Sequence, residues 1–218
     1  MARRVQGCVG MFKVGSRLFT GAGPGAMSEL AGVAQGIFLD LKFHDIPSTV
    51  AGAVATGARL PGVRLMTLHA SGGSEMMKAA RRAVGGLSNP PKLLGVTVLT
   101  SFDAANLKRV GIAGSLATSA VRLAKLSQSA GMDGVVTSAR EAKAIRRACG
   151  KDFIILVPGV RPSWARAGDQ ARVSTPTEAI RAGADYVVVG RPVTAARDPR
   201  EAVTRILDEI SSALGARV

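Results

Sequence analysis

Residues 36–49 read GIFLDLKFHDIPST, an apolar strand-like run that ends in charged residues, and this stretch decides the fold. Alternate side chains of a strand share a face, so Phe38, Asp40 and Lys42 are predicted to point one way and the residues between them the other. In a parallel barrel the second set packs beneath helices and the first lines the lumen. Asp40 and Lys42 then lie at the carboxyl end of the strand, where barrel enzymes place their chemistry.

Six further strand-like runs flank this stretch and alternate with amphipathic, helix-like segments. Thr175-Pro176-Thr177-Glu178, for example, has the form of a helix N-terminus with a capping threonine. Regular alternation of strand and helix predicts a parallel sheet with right-handed crossovers. Seven strands fit either an incomplete barrel or an open doubly wound sheet, and periodicity does not choose between them. The strands are predicted at residues 11–14, 37–41, 63–68, 93–99, 134–136, 153–157 and 186–189.

The composition indicates a single domain over residues 1–218, with 47% hydrophobic residues. No apolar run reaches the roughly 18 to 20 residues that a membrane-spanning helix needs. Cys8 and Cys149 are far apart and form no metal or redox spacing, so a cytoplasmic protein is expected. The net charge of +14 is of the kind found in nucleic-acid-binding proteins. Because the basic residues are dispersed and are not interleaved with aromatic ones, no nucleic-acid partner is predicted.

Four charged side chains are predicted to meet around one cleft, namely Lys13, Asp40, Lys42 and Asp45. An ion pair between Asp40 and Lys42 that only closes the barrel is an alternative, because buried pairs are common. That alternative explains neither the second carboxylate nor the lysine that ends the preceding strand. Each opposite-charge contact at ~4 Å is worth about 4 kcal/mol at an effective dielectric of about 20. A catalytic network is therefore favoured over a structural ion pair.

The chain resembles the bacterial orotidine 5′-phosphate decarboxylases in a series of motifs that follow the order of that family. The motifs are FKVG at residues 12–15, LDLKFHDIP at 39–47, HASGG at 69–73, VTVLTS at 96–101, PGVRP at 158–162, GDQ at 168–170 and VGRP at 189–192. Together they cover nearly the whole chain. The resemblance implies a TIM-type (β/α)8 barrel.

The resemblance also implies a reaction, the decarboxylation of orotidine 5′-monophosphate to uridine 5′-monophosphate, with neither a metal nor an organic cofactor. Lys42 would stabilise the carbanion that forms at C6 of the pyrimidine and would then donate its proton. Asp40 would lie against the substrate carboxylate and position Lys42, while Lys13 would complete the network. Asp45 and Thr49 would reach into the active site of a partner subunit, so a homodimer with shared active sites is expected.

The substrate-binding residues are implied in the same way. Thr100 would hydrogen-bond the pyrimidine, and Arg191 after Gly190 would hold the phosphate. Arg161 and Gln170 flank a segment with the make-up of a loop that closes over the phosphate. The full expected set is Ile46, Thr49, Thr100, Pro158, Arg161, Gln170, Gly190 and Arg191.

The two histidines, His44 and His69, are assigned to structural hydrogen bonding. Two histidines without further ligands at metal spacing make a poor metal site. No metal is therefore expected.

The chain departs from the family pattern at its beginning. Family members start with a strand of the form Val-Ala-Leu-Asp and a helix, whereas only Met1 to Met11 precede the FKVG motif here. We therefore expect the barrel to lack its first strand and helix and the shortened chain to bind substrate poorly. Restoring about 30 upstream residues, the span of a βα repeat, should recover activity.

Two other functions stay open. A related phosphosugar decarboxylase or aldolase would share Asp40, Lys42 and Asp45 but would typically need magnesium. The second is an inactive truncated barrel that serves as a basic scaffold for nucleic acid. It is suggested by the short N-terminus and the charge of +14.

Overall fold

The computed structural model describes residues 1–165 and 173–215. In this part of the chain, seven strands form one sheet in chain order. The strand pairs β1–β2, β2–β3, β3–β4 and β6–β7 are parallel, as expected where helices return the chain between strands. The strands are β1 (Phe12–Gly15), β2 (Ile37–Phe43), β3 (Val63–His69), β4 (Lys92–Val96), β5 (Gly134–Val136), β6 (Ile154–Val157) and β7 (Tyr186–Val187).

Helices connect the strands throughout the described residues, so the predicted alternation is confirmed. They are α1 (Ser16–Ala22), α2 (Gly25–Ala31), α3 (Pro47–Gly57), α4 (Gly73–Val84), α5 (Ala104–Arg109), α6 (Leu116–Ser129), α7 (Ala139–Cys149), α8 (Pro176–Arg181), α9 (Arg191–Thr194) and α10 (Pro199–Gly215). The predicted cap at Thr175 is present, because its hydroxyl accepts the Glu178 N–H and the Glu178 carboxylate accepts the Thr175 N–H. Within the described ranges, no helix combines the length and apolarity needed to cross a membrane.

The predicted strand centres are right, but several strand ends are wrong. β2 continues to Phe43 because Phe43 pairs with Leu68 of β3. β4 ends at Val96 rather than at Leu99, and β7 ends at Val187. Residues 97–99 continue the apolar pattern beyond β4 because Val98 is buried in a core, not because it extends the strand.

The chain divides into two compact units, of which the first comprises residues 1–96 and 126–134. Its strands pack through aliphatic side chains together with four fully buried methionines, Met27, Met66, Met76 and Met77. Methionine adapts to irregular space, which suits a chain with 4% aromatic residues. A Cβ at Gly57 would lie 2.6 Å from Cε of Met66, so any larger residue at position 57 would make the end of that methionine move.

The second unit comprises residues 97–125 and the described residues from 135 onwards. Its core gathers buried side chains from its strands and from α6, α7 and α8. The largest of them are Leu107, Ile145, Phe153, Ile155 and Val157.

An aspartate closes the start of a strand in each unit by the same arrangement. In the first unit, Asp133 accepts the Leu93 N–H at 2.9 Å and pairs with Arg81 of α4. In the second, Asp185 accepts the Ile155 N–H at 2.7 Å and pairs with Arg146 of α7 at 2.6 Å. Each carboxylate thus satisfies a backbone donor near the start of its strand. Each aspartate therefore acts near the amino end of a strand in its own unit.

Candidate active site

Two lysines and one aspartate meet at the carboxyl ends of β1 and β2. The Lys42 ammonium donates a hydrogen bond to Oδ2 of Asp40 at 2.8 Å. The Lys13 ammonium lies 3.5 Å from the same oxygen. β1 and β2 are parallel, and Gly15 is in register with Asp40, so the side chains that follow these strands share one edge of the sheet. The structure therefore brings together three of the four charged residues that the sequence predicts to meet.

The backbone of Lys42 is unusual, with φ at +53°. This left-handed region is unfavourable for a residue with a side chain. The register of β2 against β3 moves from Leu39–Met66 to Phe43–Leu68, so three residues of β2 lie opposite one residue of β3. The bulge interrupts the alternation on which the sequence prediction relied. The side chain of Lys42 nevertheless contacts Asp40.

Thr67 is the one residue of β3 opposite this bulge, and its side chain is fully buried. Its hydroxyl donates to Oδ1 of Asp40 at 2.9 Å and accepts the Lys42 N–H at 3.1 Å. Sequence reasoning missed Thr67. The available signal was a lone hydroxyl within the apolar run of a strand, two residues before His69.

The cluster formed by Lys13, Asp40 and Lys42 carries two positive charges and one negative charge. The Asp40 side chain is 9% exposed, whereas Lys13 and Lys42 are 37% and 34% exposed. The carboxylate is therefore the buried anchor, and both ammonium groups reach toward solvent. Lys13 also lines an open cleft beside α1. A partly exposed cluster with an excess positive charge attracts an anion and stabilises negative charge that develops next to it.

The two histidines lie next to this cluster and pack against each other. The ring centroids of His44 and His69 are 5.2 Å apart. Burial lowers the pKa of His69 below the ordinary 6.5, and the positive charges of His44 and Lys42 lower it further. The structure shows ring packing between these histidines, and their predicted role in hydrogen bonding stays a prediction. The described residues contain no group of three or more His, Cys, Asp or Glu side chains placed to hold a metal ion.

Asp45, Ile46 and Thr49 lie on the surface, at the start of α3. The Asp45 carboxylate accepts the N–H of Ile46 at 2.6 Å, so it caps its own turn rather than contacting the lysine cluster of the same chain; its expected place in a partner's active site stays a prediction. All three residues are exposed, and Ile46 is 64% exposed.

The other predicted site residues belong to the second unit. Pro158 and Arg161 follow β6, and Gly190 and Arg191 follow β7. β6 and β7 are parallel and in register, so these two pairs of residues lie at the same edge of the sheet. The Arg161 N–H donates to the Ser174 carbonyl at 2.8 Å, and the Gly190 carbonyl accepts the N–H groups of Val193 and Thr194.

Two residues of the predicted set need separate comment. Thr100 lies in a turn beyond β4 rather than at the end of that strand, because β4 stops at Val96. Gln170 lies outside the described residues.

The fold is parallel α/β, and two lysines surround a buried carboxylate at the carboxyl ends of strands. These features define an α/β enzyme with a charged site. In the second unit, two arginines follow the carboxyl ends of β6 and β7. The chain belongs to the orotidine 5′-phosphate decarboxylase / HUMPS family, whose sequence profile matches residues 1–206.

Relatives and solved structures agree with this assignment. The chain is 53% identical to the orotidine 5′-phosphate decarboxylase of Trichlorobacter lovleyi, over 96% of this chain and 88% of that protein. It is 52% identical to the enzyme of the same name from Geobacter sp. strain M21, over 93% and 85% of the two chains. The orotidine 5′-phosphate decarboxylase structure from Lactobacillus acidophilus matches with a TM-score of 0.79 and 38% identity, over 91% and 85%. An uncharacterized conserved protein from Geobacillus kaustophilus matches with a TM-score of 0.82 and 36% identity, over 95% and 91%.

Proposed function

We propose that this protein decarboxylates orotidine 5′-monophosphate to uridine 5′-monophosphate in pyrimidine biosynthesis. The observation that carries the proposal is the Lys42 ammonium, held 2.8 Å from the buried carboxylate of Asp40. Relatives at about half identity over most of the chain carry the name of this activity, which supports the same substrate here.

The proposed reaction breaks the bond between C6 of the pyrimidine and its carboxylate carbon. Carbon dioxide leaves, the electron pair stays on C6, and Lys42 delivers a proton from its Nζ to that carbon. A lysine that is already fixed by Asp40 needs no reorganisation when the negative charge forms, and this is the condition under which electrostatic stabilisation is effective. Solvent returns a proton to Lys42 after product leaves.

Asp40 and Lys13 support Lys42 in this proposal. Asp40 accepts hydrogen bonds through both carboxylate oxygens, so its orientation is fixed. It lies on the side of the substrate carboxylate and opposes the charge that decarboxylation removes. Lys13, 3.5 Å from Asp40, balances that carboxylate before substrate binds.

The substrate-binding roles rest on the family resemblance. Thr100 hydrogen-bonds the pyrimidine, and Pro158 is a further substrate-binding residue. The phosphate is bound by Arg161, Gln170, Gly190 and Arg191. The placement of Arg191 and Gly190 directly after β7 supports a phosphate site, because barrel enzymes bind phosphate after their last strands. A guanidinium group matches phosphate in a bidentate geometry.

We propose further that the protein works in the cytoplasm as a homodimer and that its sheet belongs to a single-domain (β/α)8-type barrel. The exposure of Asp45, Ile46 and Thr49 supports the dimer, because a solvent-exposed isoleucine at the rim of a charged site suits burial by a second subunit. That the barrel lacks its first strand and helix stays a prediction.

The test follows absorbance during conversion of orotidine 5′-monophosphate and compares the native protein with Lys42→Ala. The expected loss is at least on the order of 10²- to 10³-fold, because proton donation and charge stabilisation are both removed. Lys78→Ala, which removes an exposed lysine paired with Glu75, is the matched control and should keep native turnover. A Lys42→Ala rate close to native would refute the proposed role. Unchanged turnover of orotidine 5′-monophosphate in excess chelator would exclude a magnesium-dependent phosphosugar enzyme.

A further inference from the structure

The Thr67 hydroxyl lies at the centre of the lysine–aspartate cluster although it carries no charge. We propose that Thr67 is a positioning residue that holds Lys42 and Asp40 in their reactive arrangement, an inference that rests on the proposed function. The side chain of Thr67 is fully buried, so water does not replace its hydrogen bonds.

The donors and acceptors around this hydroxyl allow only one arrangement. The Lys42 backbone N–H can only donate, so the Thr67 oxygen accepts at 3.1 Å. An ionised carboxylate can only accept, so the Thr67 proton goes to Oδ1 of Asp40 at 2.9 Å. The other oxygen of Asp40 accepts from the Lys42 ammonium. The Thr67 hydroxyl thereby connects the Lys42 backbone to the Asp40 carboxylate. The same carboxylate binds the Lys42 ammonium.

The closed ring of hydrogen bonds explains how Lys42 keeps an unfavourable backbone conformation. A φ of +53° persists in a non-glycine residue only where the surroundings enforce it. The bulge of β2 places Thr67 opposite residues 40–42, and the N–H of Lys42 bonds to the Thr67 side chain instead of a strand neighbour. Without the hydroxyl, residue 42 loses this partner and can relax toward extended geometry, which moves its amine away from Asp40.

The experiment compares Thr67→Val with Thr67→Ser. Valine keeps the branched shape and removes the hydroxyl, whereas serine keeps the hydroxyl. We expect Thr67→Val to lower kcat roughly 10- to 100-fold, the range for leaving buried polar groups without a partner, with KM within about 3-fold of native. Thr67→Ser should stay within about 3-fold of the native kcat. If Thr67→Val does not fold, Thr67→Ala takes its place with the same expected split between kcat and KM.

A second comparison separates positioning from a general effect on the fold. In a Lys42→Ala background, Thr67→Val should cause a much smaller further loss of kcat than in the native protein, because one of the two residues that it positions is gone. A further loss of the same size, a native kcat in Thr67→Val, or equal losses in the valine and serine variants would each overturn the proposal.

A crystal structure of Thr67→Val tests the inference without any turnover. The expected changes are a φ at residue 42 that leaves the left-handed region and a Lys42–Asp40 distance longer than the native 2.8 Å. An unchanged residue 42 would overturn the positioning role. Absence of turnover in the native protein would instead refute the proposed function, and the structural comparison would still decide the role of Thr67.

Discussion

Gly15 offers a way to displace one ammonium group of the cluster by a single methyl group. A Cβ built at Gly15 lies 2.9 Å from Nζ of Lys13, closer than carbon and nitrogen atoms pack. The φ of Gly15 is −95°, so alanine is compatible with the backbone there. Gly15→Ala is therefore expected to leave the fold unchanged and to move the Lys13 amine.

The size of the effect follows from the distance between Lys13 and Asp40. If the 3.5 Å separation grows by about 1 Å, the Coulomb attraction weakens by about 1 kcal/mol at an effective dielectric of about 20 and by about 0.3 kcal/mol in water. Lys13 is 37% exposed, which places the effect between these limits. The expected loss in kcat/KM for orotidine 5′-monophosphate is about 2- to 5-fold.

The assay is a double-mutant cycle with a neighbouring glycine as control. Gly21 lines the same cleft, and a Cβ there would meet nothing within 4 Å, so Gly21→Ala should keep native kcat/KM. In a Lys13→Ala background, Gly15→Ala should have no effect, because the displaced group is absent. The reasoning fails if Gly15→Ala lowers kcat/KM equally in both backgrounds, or if urea unfolding shows that it destabilises the fold.

Three further predictions concern stability and reactivity. Asp133→Ala should lower the free energy of unfolding in urea by about 2–4 kcal/mol, because the Leu93 N–H loses its buried acceptor. Asp133→Asn should lower it less. An equal decrease in both variants would contradict this reasoning. Since burial raises the pKa of Cys149, a thiol reagent should label Cys8 in the native protein and Cys149 only after unfolding; equal labelling rates would refute this. Because the pKa of His69 is lowered on folding, the unfolded state binds more protons below about pH 6.5, and the free energy of unfolding falls as the pH decreases. His69→Gln should reduce this fall. An unchanged dependence of the free energy of unfolding on pH would show that His69 does not cause it.

The sequence predicts the strand–helix alternation and the strand centres, because apolar runs and helix caps are local signals. Strand ends depend on neighbouring strands, which are not visible locally. The apolar residues after Val96 therefore looked like strand, although Val98 packs in a core. In contrast, β2 extends to Phe43 because β3 continues to pair with it.

The charged part of the site was predictable in part. Lys13, Asp40 and Lys42 meet as predicted, because charges at the ends of parallel strands share one edge of the sheet. The bulge at Lys42 and the contact of Thr67 with Asp40 were not predictable, since both depend on the register between β2 and β3. Asp45 caps the N–H of Ile46 within its own chain, and its expected contribution to the site of a partner subunit stays a prediction.

The left-handed backbone at residue 42 also bears on the evolution and redesign of this site. Glycine adopts a φ of +53° without steric cost, so backbone energy alone favours glycine at this position. Lysine at this position fits the proposed proton donor, whose amine pairs with Asp40, and its left-handed backbone costs the fold some stability in exchange. Glycine in place of this lysine would relieve the backbone cost but would leave the buried Asp40 carboxylate without its nearest ammonium group, so the exchange would not by itself give a more stable protein.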